Sequence, residues 1–212
     1  MIKKIKDSKK RLVTVGVMFV LLGIIIISNK NIYNYIIDKK EEVKIEEFYR
    51  KQEHIDTNNE NTILNEKLET TQEKKFNYIA VIKIPKIGVE KGLCQKESSC
   101  NHVDRNIQIL NESDYPDVKN GNFMLAAHSG NAGISYFKNV YKLEKDNLIS
   151  LIYNGYEYKY KIVNIYDVEK TGSTNIIRNK EKNTLTLITC RQKTDNQIIV
   201  ISELIERTKF NG

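Results

Sequence analysis

A mainly β domain, closed or nearly closed on itself, is predicted for residues 76–212, and three observations predict it. Thr184-Leu185-Thr186-Leu187-Ile188-Thr189-Cys190 alternates with a period of two and is β-branched at most positions, the pattern of a half-buried strand. Asn154-Gly155 separates two β-rich runs, and this dipeptide suits a two-residue hairpin turn because both positions tolerate positive φ. Other short β-rich runs with turn residues between them recur through this part of the chain, as they do in closed β structures.

The N-terminal part is different in kind. The chain has 212 residues, room for one or two domains, and at 40% hydrophobic and 29% charged it can bury a core. Residues 1–11 (MIKKIKDSKKR) carry net +5, which leaves only +2 of the total +7 for the remainder. A nucleic-acid binder carries its cations on the folded surface. These precede a hydrophobic run instead, so a bilayer rather than a nucleic acid is the expected partner. That run, residues 12–27 (LVTVGVMFVLLGIIII), is uncharged; with Ser28 it approaches the roughly 20 residues of a spanning helix. Lysines on its N-terminal side give a cytoplasmic N-terminus by the positive-inside rule. A cleaved signal peptide is the rival reading, but Ser28-Asn29-Lys30-Asn31 is a poor cleavage site. An uncleaved anchor over 12–28 places everything after it outside the cell.

Residues 29–75 are rich in Glu, Lys and Asn, with neither Gly nor Pro. Ile32, Tyr35, Ile36, Val43, Ile45, Phe48 and Tyr49 have partial helical spacing, and DTNNEN at 56–61 interrupts it. This reads as a solvated helical stalk, with a second helix near 63–73, that holds the domain off the membrane. A regulatory segment packing on the domain is the alternative. His54 falls here and reads as a solvated surface residue.

Strands are expected at 78–84, ending at Pro85, and at 88–93, 122–127, 149–153, 156–165, 184–190 and 197–204. Short helices are expected near 103–110 and 136–143. Cys94 and Cys100 lie in one loop and read either as a disulfide or as two free thiols. A disulfide closing so small a loop stabilises only modestly. His102 is near, but no fourth ligand has a usual zinc spacing, so neither metal nor cofactor is implied.

Cys190 is then an unpaired thiol in an exported chain. With Leu185 and Leu187 in the core, strand alternation puts Thr186, Ile188 and Cys190 on the outer face. A buried core cysteine is the bland alternative. The run Asn122-Phe123-Met124-Leu125-Ala126-Ala127 leads straight into His128. A thiol and an imidazole at the ends of two strands are the material of a nucleophilic pair, in which the imidazole holds the thiol as its reactive thiolate.

Thr186-Leu187-Ile188-Thr189-Cys190 looks like the TLxTC signature of the sortases, the Gram-positive cell-surface transpeptidases. Ala126-Ala127-His128 resembles the segment around the sortase histidine, and Ile84-Pro85-Lys86-Ile87-Gly88-Val89 is similar to the family's "IPKIxI" segment. Order and spacing match as well, over about residues 76–206. The resemblance implies an eight-stranded barrel. It also implies a two-step acyl transfer in which Cys190 attacks the Thr-Gly bond of an LPxTG-like sorting signal. His128 serves as acid and then as base, and an amine from a peptidoglycan precursor or a pilin resolves the thioester.

On this resemblance Thr189 and Ala127 help shape the substrate site, and Ile176 and Ile177, in the loop before the cysteine strand, line a Leu/Pro pocket or pack on the barrel. The connection over 167–183 is short for a class B sortase, and no second hydrophobic run follows the domain, so a class D-like or unassigned sortase fits best. One departure stands out. Where sortases carry an oxyanion-stabilising arginine, this chain has Asn196 or Gln197. Arg191 is the chosen candidate for that role, provided the strand ends at Cys190, and Arg178, Asn196 and Gln197 are the others. The missing arginine keeps a second reading open, a catalytically degenerate barrel that binds a peptide or a partner. A plain cysteine protease with water as acceptor is a third.

Overall fold

The computed structural model describes residues 14–21, 23, 39–53, 78–131, 133–172 and 174–211. They fall in two units, Met1–Val43 and Lys44–Gly212. In the first, residues 14–21 are helical. No helix among the described residues is long and apolar enough to cross a membrane, and much of the expected span at 12–28 lies outside them. His54, the interruption at 56–61 and the expected helix at 63–73 also lie outside them.

The second unit is built on eight strands: β1 (Tyr78–Ile84), β2 (Val89–Cys94), β3 (Gln108–Ile109), β4 (Asn122–Ala126), β5 (Leu148–Tyr153), β6 (Tyr156–Glu169), β7 (Thr184–Cys190) and β8 (Asn196–Lys209). They form one sheet in the order β2-β1-β5-β6-β8-β7-β4-β3, whose two edge strands come against each other to make a nearly closed barrel. All described pairings are antiparallel except β4 with β7. Inward residues alternate: Leu185 and Leu187 are in the buried core as expected, and Phe123, Leu125, Ile198 and Val200 join them.

The hairpin between β5 and β6 turns on Asn154 and Gly155, with φ of 49° and 76°, as the Asn-Gly pair requires. At Gly92 a Cβ would stand 2.1 Å from the Tyr78 ring, so only glycine lets β1 and β2 pair beneath that ring.

The expected helices near 103–110 and 136–143 are not α-helical. The first stretch is a turn followed by β3, and the second is a chain of turns ending in a 3-10 helix at Val140–Lys142. Both have apolar residues spaced i, i+4, i+7, yet Ile107 just before β3, Ile109 of β3, Phe137 in a turn and Val140 of the 3-10 helix all reach the core, so tertiary packing overrides the local pattern.

Residues 39–53 form a helix. Over 44–53 it packs on the barrel: Ile45 and Phe48 join Val81 and Ile152 in a small separate cluster. The Tyr49 hydroxyl donates to Glu90 Oε1 at 2.6 Å, and Gln52 Oε1 accepts from the Gly155 amide at 2.6 Å. This part of the expected stalk is therefore not a free spacer; it matches the alternative reading, a segment packed on the domain.

Candidate active site

Parallel pairing of β4 with β7 builds the site. Its ladder runs from Asn122 opposite Thr184 to Ala126 opposite Ile188, and the Ala127 amide then donates to the Ile188 carbonyl at 3.3 Å. Two residues beyond this last pair stand Cys190, the final residue of β7, and His128, in the loop just past the end of β4. In-register neighbours in a parallel ladder share a face. Met124, Ala126, Ile188 and Cys190 are all half-buried, whereas Leu125, Ala127, Leu187 and Thr189 between them are buried, so the thiol lies on the outer face. Cys190 is a free thiol.

The strand ends are tied together. Thr189 Oγ1 donates to the Ala127 carbonyl at 2.7 Å, and both residues are buried. They thus pin the two chain segments immediately before Cys190 and His128. The Phe137 amide donates to the His128 carbonyl at 3.0 Å, and Gln192 Nε2 donates to the Ser129 carbonyl, joining the loops after β4 and β7. A cavity of about 270 Å³ opens beside Cys190, lined by Ser129, Phe137, Tyr141, Arg191, Gln192 and Ile198 among others.

β7 ends at Cys190, the condition set for Arg191 to turn towards the site, and Arg191 lines the cavity. Its guanidinium is held by Asp167 of β6: Nη2 donates to Oδ1 at 2.7 Å, and Nε lies 2.6 Å from Oδ2. Gln197 is the direct cross-strand neighbour of Cys190 on β8 and shares its face, while Asn196 faces the other way and accepts from the Arg191 amide at 2.8 Å through its carbonyl. Arg178 Nη1 is occupied by the carbonyls of Asn179 and Lys182, within its own loop. That loop, residues 170–183, reaches Gln197 through the Thr174 hydroxyl at 3.4 Å. In it Ile176 is half-buried and Ile177 is 67% exposed, with the Ile177 amide donating to the Tyr166 hydroxyl at 2.9 Å.

Asp104 is the residue that sequence reasoning missed. Its Oδ1 lies 2.9 Å from His128 Nε2, while Oδ2 is 3.5 Å from His102 Nδ1. The hydrogen bond from His128, more than the charge of His102, holds the Asp104 carboxyl below the usual carboxylate range. Cys94 and Cys100 form a disulfide, the first of the two readings of that loop.

A family model described as "Sortase domain" matches residues 82–205. Among curated proteins, the chain is 28% identical over 110 residues to Sortase D of Bacillus subtilis, a match covering 52% of each chain. It is 24% identical over 189 residues to Sortase A of Staphylococcus aureus, covering 87% of this chain and 89% of that one. Among solved structures, a Sortase D5 transpeptidase of Clostridium perfringens superposes with a TM-score of 0.57 at 26% identity, over 78% of this chain and 98% of that one. Sortase A of Listeria monocytogenes shares the fold, with a TM-score of 0.54 at 20% identity, over 63% of this chain and 91% of that one.

Proposed function

This chain belongs to the sortase family, and from that premise we propose that it is a membrane-anchored, class D-like cysteine transpeptidase that takes an LPxTG-like sorting signal. One observation supports the reading above the rest: the parallel β4–β7 ladder runs in register to Ala126 and Ile188, two residues before His128 and Cys190, and a cavity opens beside Cys190. Retention of both Cys190 and His128 disfavours a degenerate binding barrel.

In the proposed cycle the Cys190 thiolate adds to the threonine carbonyl of the signal. The tetrahedral intermediate collapses, the C–N bond to glycine breaks, and His128 as imidazolium gives its proton to the leaving amine. A thioester remains on Cys190. An amine from a peptidoglycan precursor or a pilin then attacks it, neutral His128 takes the amine's proton, and the thiolate leaves. Arg191, oriented by Asp167, donates to the oxyanion in both steps. The loop with Ile176 and Ile177 lies beside Gln197 and supplies apolar contact for the signal. Residues 12–28 anchor the chain in the bilayer, with residues 1–11 in the cytoplasm and the barrel outside.

The test is intact-mass spectrometry of the full chain in detergent with an LPxTG-type peptide library and a glycine-type amine. A thioester adduct on Cys190, absent in Cys190→Ala and His128→Ala and discharged by the amine, is the expected result. No adduct with any peptide, together with ordinary alkylation kinetics for Cys190, would establish the binding barrel instead.

A further inference from the structure

We propose that Asp104 is a positioning residue for His128, presented by a disulfide-stapled loop that keeps its carboxylate on Nε2 and leaves Nδ1 to exchange protons at Cys190. The inference rests on the acyl-transfer reading and adds to it a third residue, from the connection between β2 and β3.

An imidazole that must act as acid and then as base needs one nitrogen fixed, so that the other carries the proton traffic in a constant orientation. Oδ1 of Asp104 accepts from Nε2 at 2.9 Å and supplies that fixed point. The contact is exposed, at 43% for the His128 side chain and 66% for Asp104, and an exposed ion pair alone is weak and readily lost. It orients the ring only if the loop itself is held.

The loop is held throughout its length. Cys94 and Cys100 close its first half. Asn101 is buried and makes two bonds to Ile109, its Nδ2 to the carbonyl at 2.9 Å and its Oδ1 from the amide at 2.6 Å. Buried Asn106 donates to the Gly92 carbonyl at 2.8 Å and touches both sulfurs, at 3.8 and 3.7 Å. Arg105 Nη1 donates to the Ser99 carbonyl at 2.9 Å, and the Arg105 and Asn106 amides both donate to the His102 carbonyl at 2.8 Å. The Asp104 amide donates to His102 Nδ1 at 3.2 Å, which fixes the residue from its backbone side. Buried asparagines and a disulfide grip both flanks of Asp104 and leave its carboxylate facing out, onto the His128 ring.

The experiment compares the full chain in detergent with Asp104→Asn, Asp104→Glu and the Cys94→Ala/Cys100→Ala double variant. Peptide transfer kinetics are read beside the ¹⁵N spectrum of the neutral His128 ring, assigned with His54→Gln and His102→Gln. The expected result is a kcat roughly 10- to 100-fold lower in Asp104→Asn with KM nearly unchanged, a share of what acid–base catalysis contributes. Asp104→Glu should recover part of it, and the double variant should move in the same direction as Asp104→Asn. The ring should change from the Nε2–H tautomer to a mixture. An unchanged or faster Asp104→Asn, which would make Asp104 idle or a mask over the ring, overturns the proposal, and so does an unchanged tautomer. A wild-type chain that forms no thioester sinks the acyl-transfer reading, but the tautomer is read without turnover and still decides whether Asp104 holds the ring.

Discussion

The hydroxyl of Thr189 donates to the carbonyl of Ala127 at 2.7 Å, one residue before Cys190 on β7 and one before His128 after β4. Regular pairing stops at Ala126, so this side-chain bond ties the strands together just before His128 and Cys190. Thr189→Val keeps the shape and leaves a buried carbonyl without its donor, at a cost of about 1–3 kcal/mol. Urea unfolding should show that loss, and thioester formation should fall further than the lost stability explains. Equal loss in both would make Thr189 a packing residue only.

Arg191 and Asp167 make a separate prediction. If Arg191 donates to the oxyanion, Arg191→Ala should slow thioester formation roughly 100- to 1000-fold. Asp167→Asn, which only loosens the guanidinium, should cost less. Gln197→Ala is the control, because Gln197 stands directly across from Cys190. Stopped-flow acylation rates rank the three, and a larger loss in Gln197→Ala would transfer the role to that neutral donor.

The barrel should weaken in alkali. Burial pushes the Tyr153 hydroxyl up to about 12 and raises Tyr49, Tyr158 and Tyr160 as well. A tyrosine raised in the folded state contributes stability that is complete below its ordinary value of about 10 and is lost as pH rises towards the folded value. Urea midpoints should therefore hold between about pH 7 and 9 and fall above about 10. Tyr160 is fully buried, and its hydroxyl has no hydrogen-bond partner among the described residues. Tyr160→Phe should leave neutral stability unchanged or higher and flatten the alkaline fall. A steeper fall would contradict this account.

The candidate pair was legible in the sequence because Cys190 ends a regular strand and His128 follows another by two residues. Alternation through Thr184–Cys190 fixes the faces, and Asn122–Ala126 delivers His128 beside it. Length was harder to read. β8 runs on to Lys209 through Glu203, Glu206 and Arg207, charged residues that look like a loop but pair with Tyr156–Lys161 of β6. β3 is two residues long and has too little sequence to show a period. Asp104 had no signal at all: it meets His128 from 24 residues away through a loop whose shape depends on a disulfide and two buried asparagines. Nor does partial helical spacing around Ile45, Phe48 and Tyr49 tell a solvated stalk from a packed helix, because the partner residues Val81 and Ile152 lie on strands far along the chain.

That packed helix changes where a soluble domain should begin. Phe48 is 5% exposed, Ile45 8%, and both cover Val81 and Ile152, which a barrel starting at residue 76 would leave bare. The Tyr49 ring also packs against Phe210, tilted by 37° with centroids 5.4 Å apart, so the helix holds the chain's C-terminal end as well. Truncating a buried Phe to Ala costs about 3–5 kcal/mol, and about 1 kcal/mol moves Tm by roughly 2–4 °C at this size. Phe48→Ala should therefore lower Tm by about 10 °C, and removing residues 1–75 should lower it at least as far. The truncated form should also bind a hydrophobic dye at the uncovered β1–β5 face. Equal melting of residues 39–212 and 76–212 would show that the helix rests on the barrel without stabilising it.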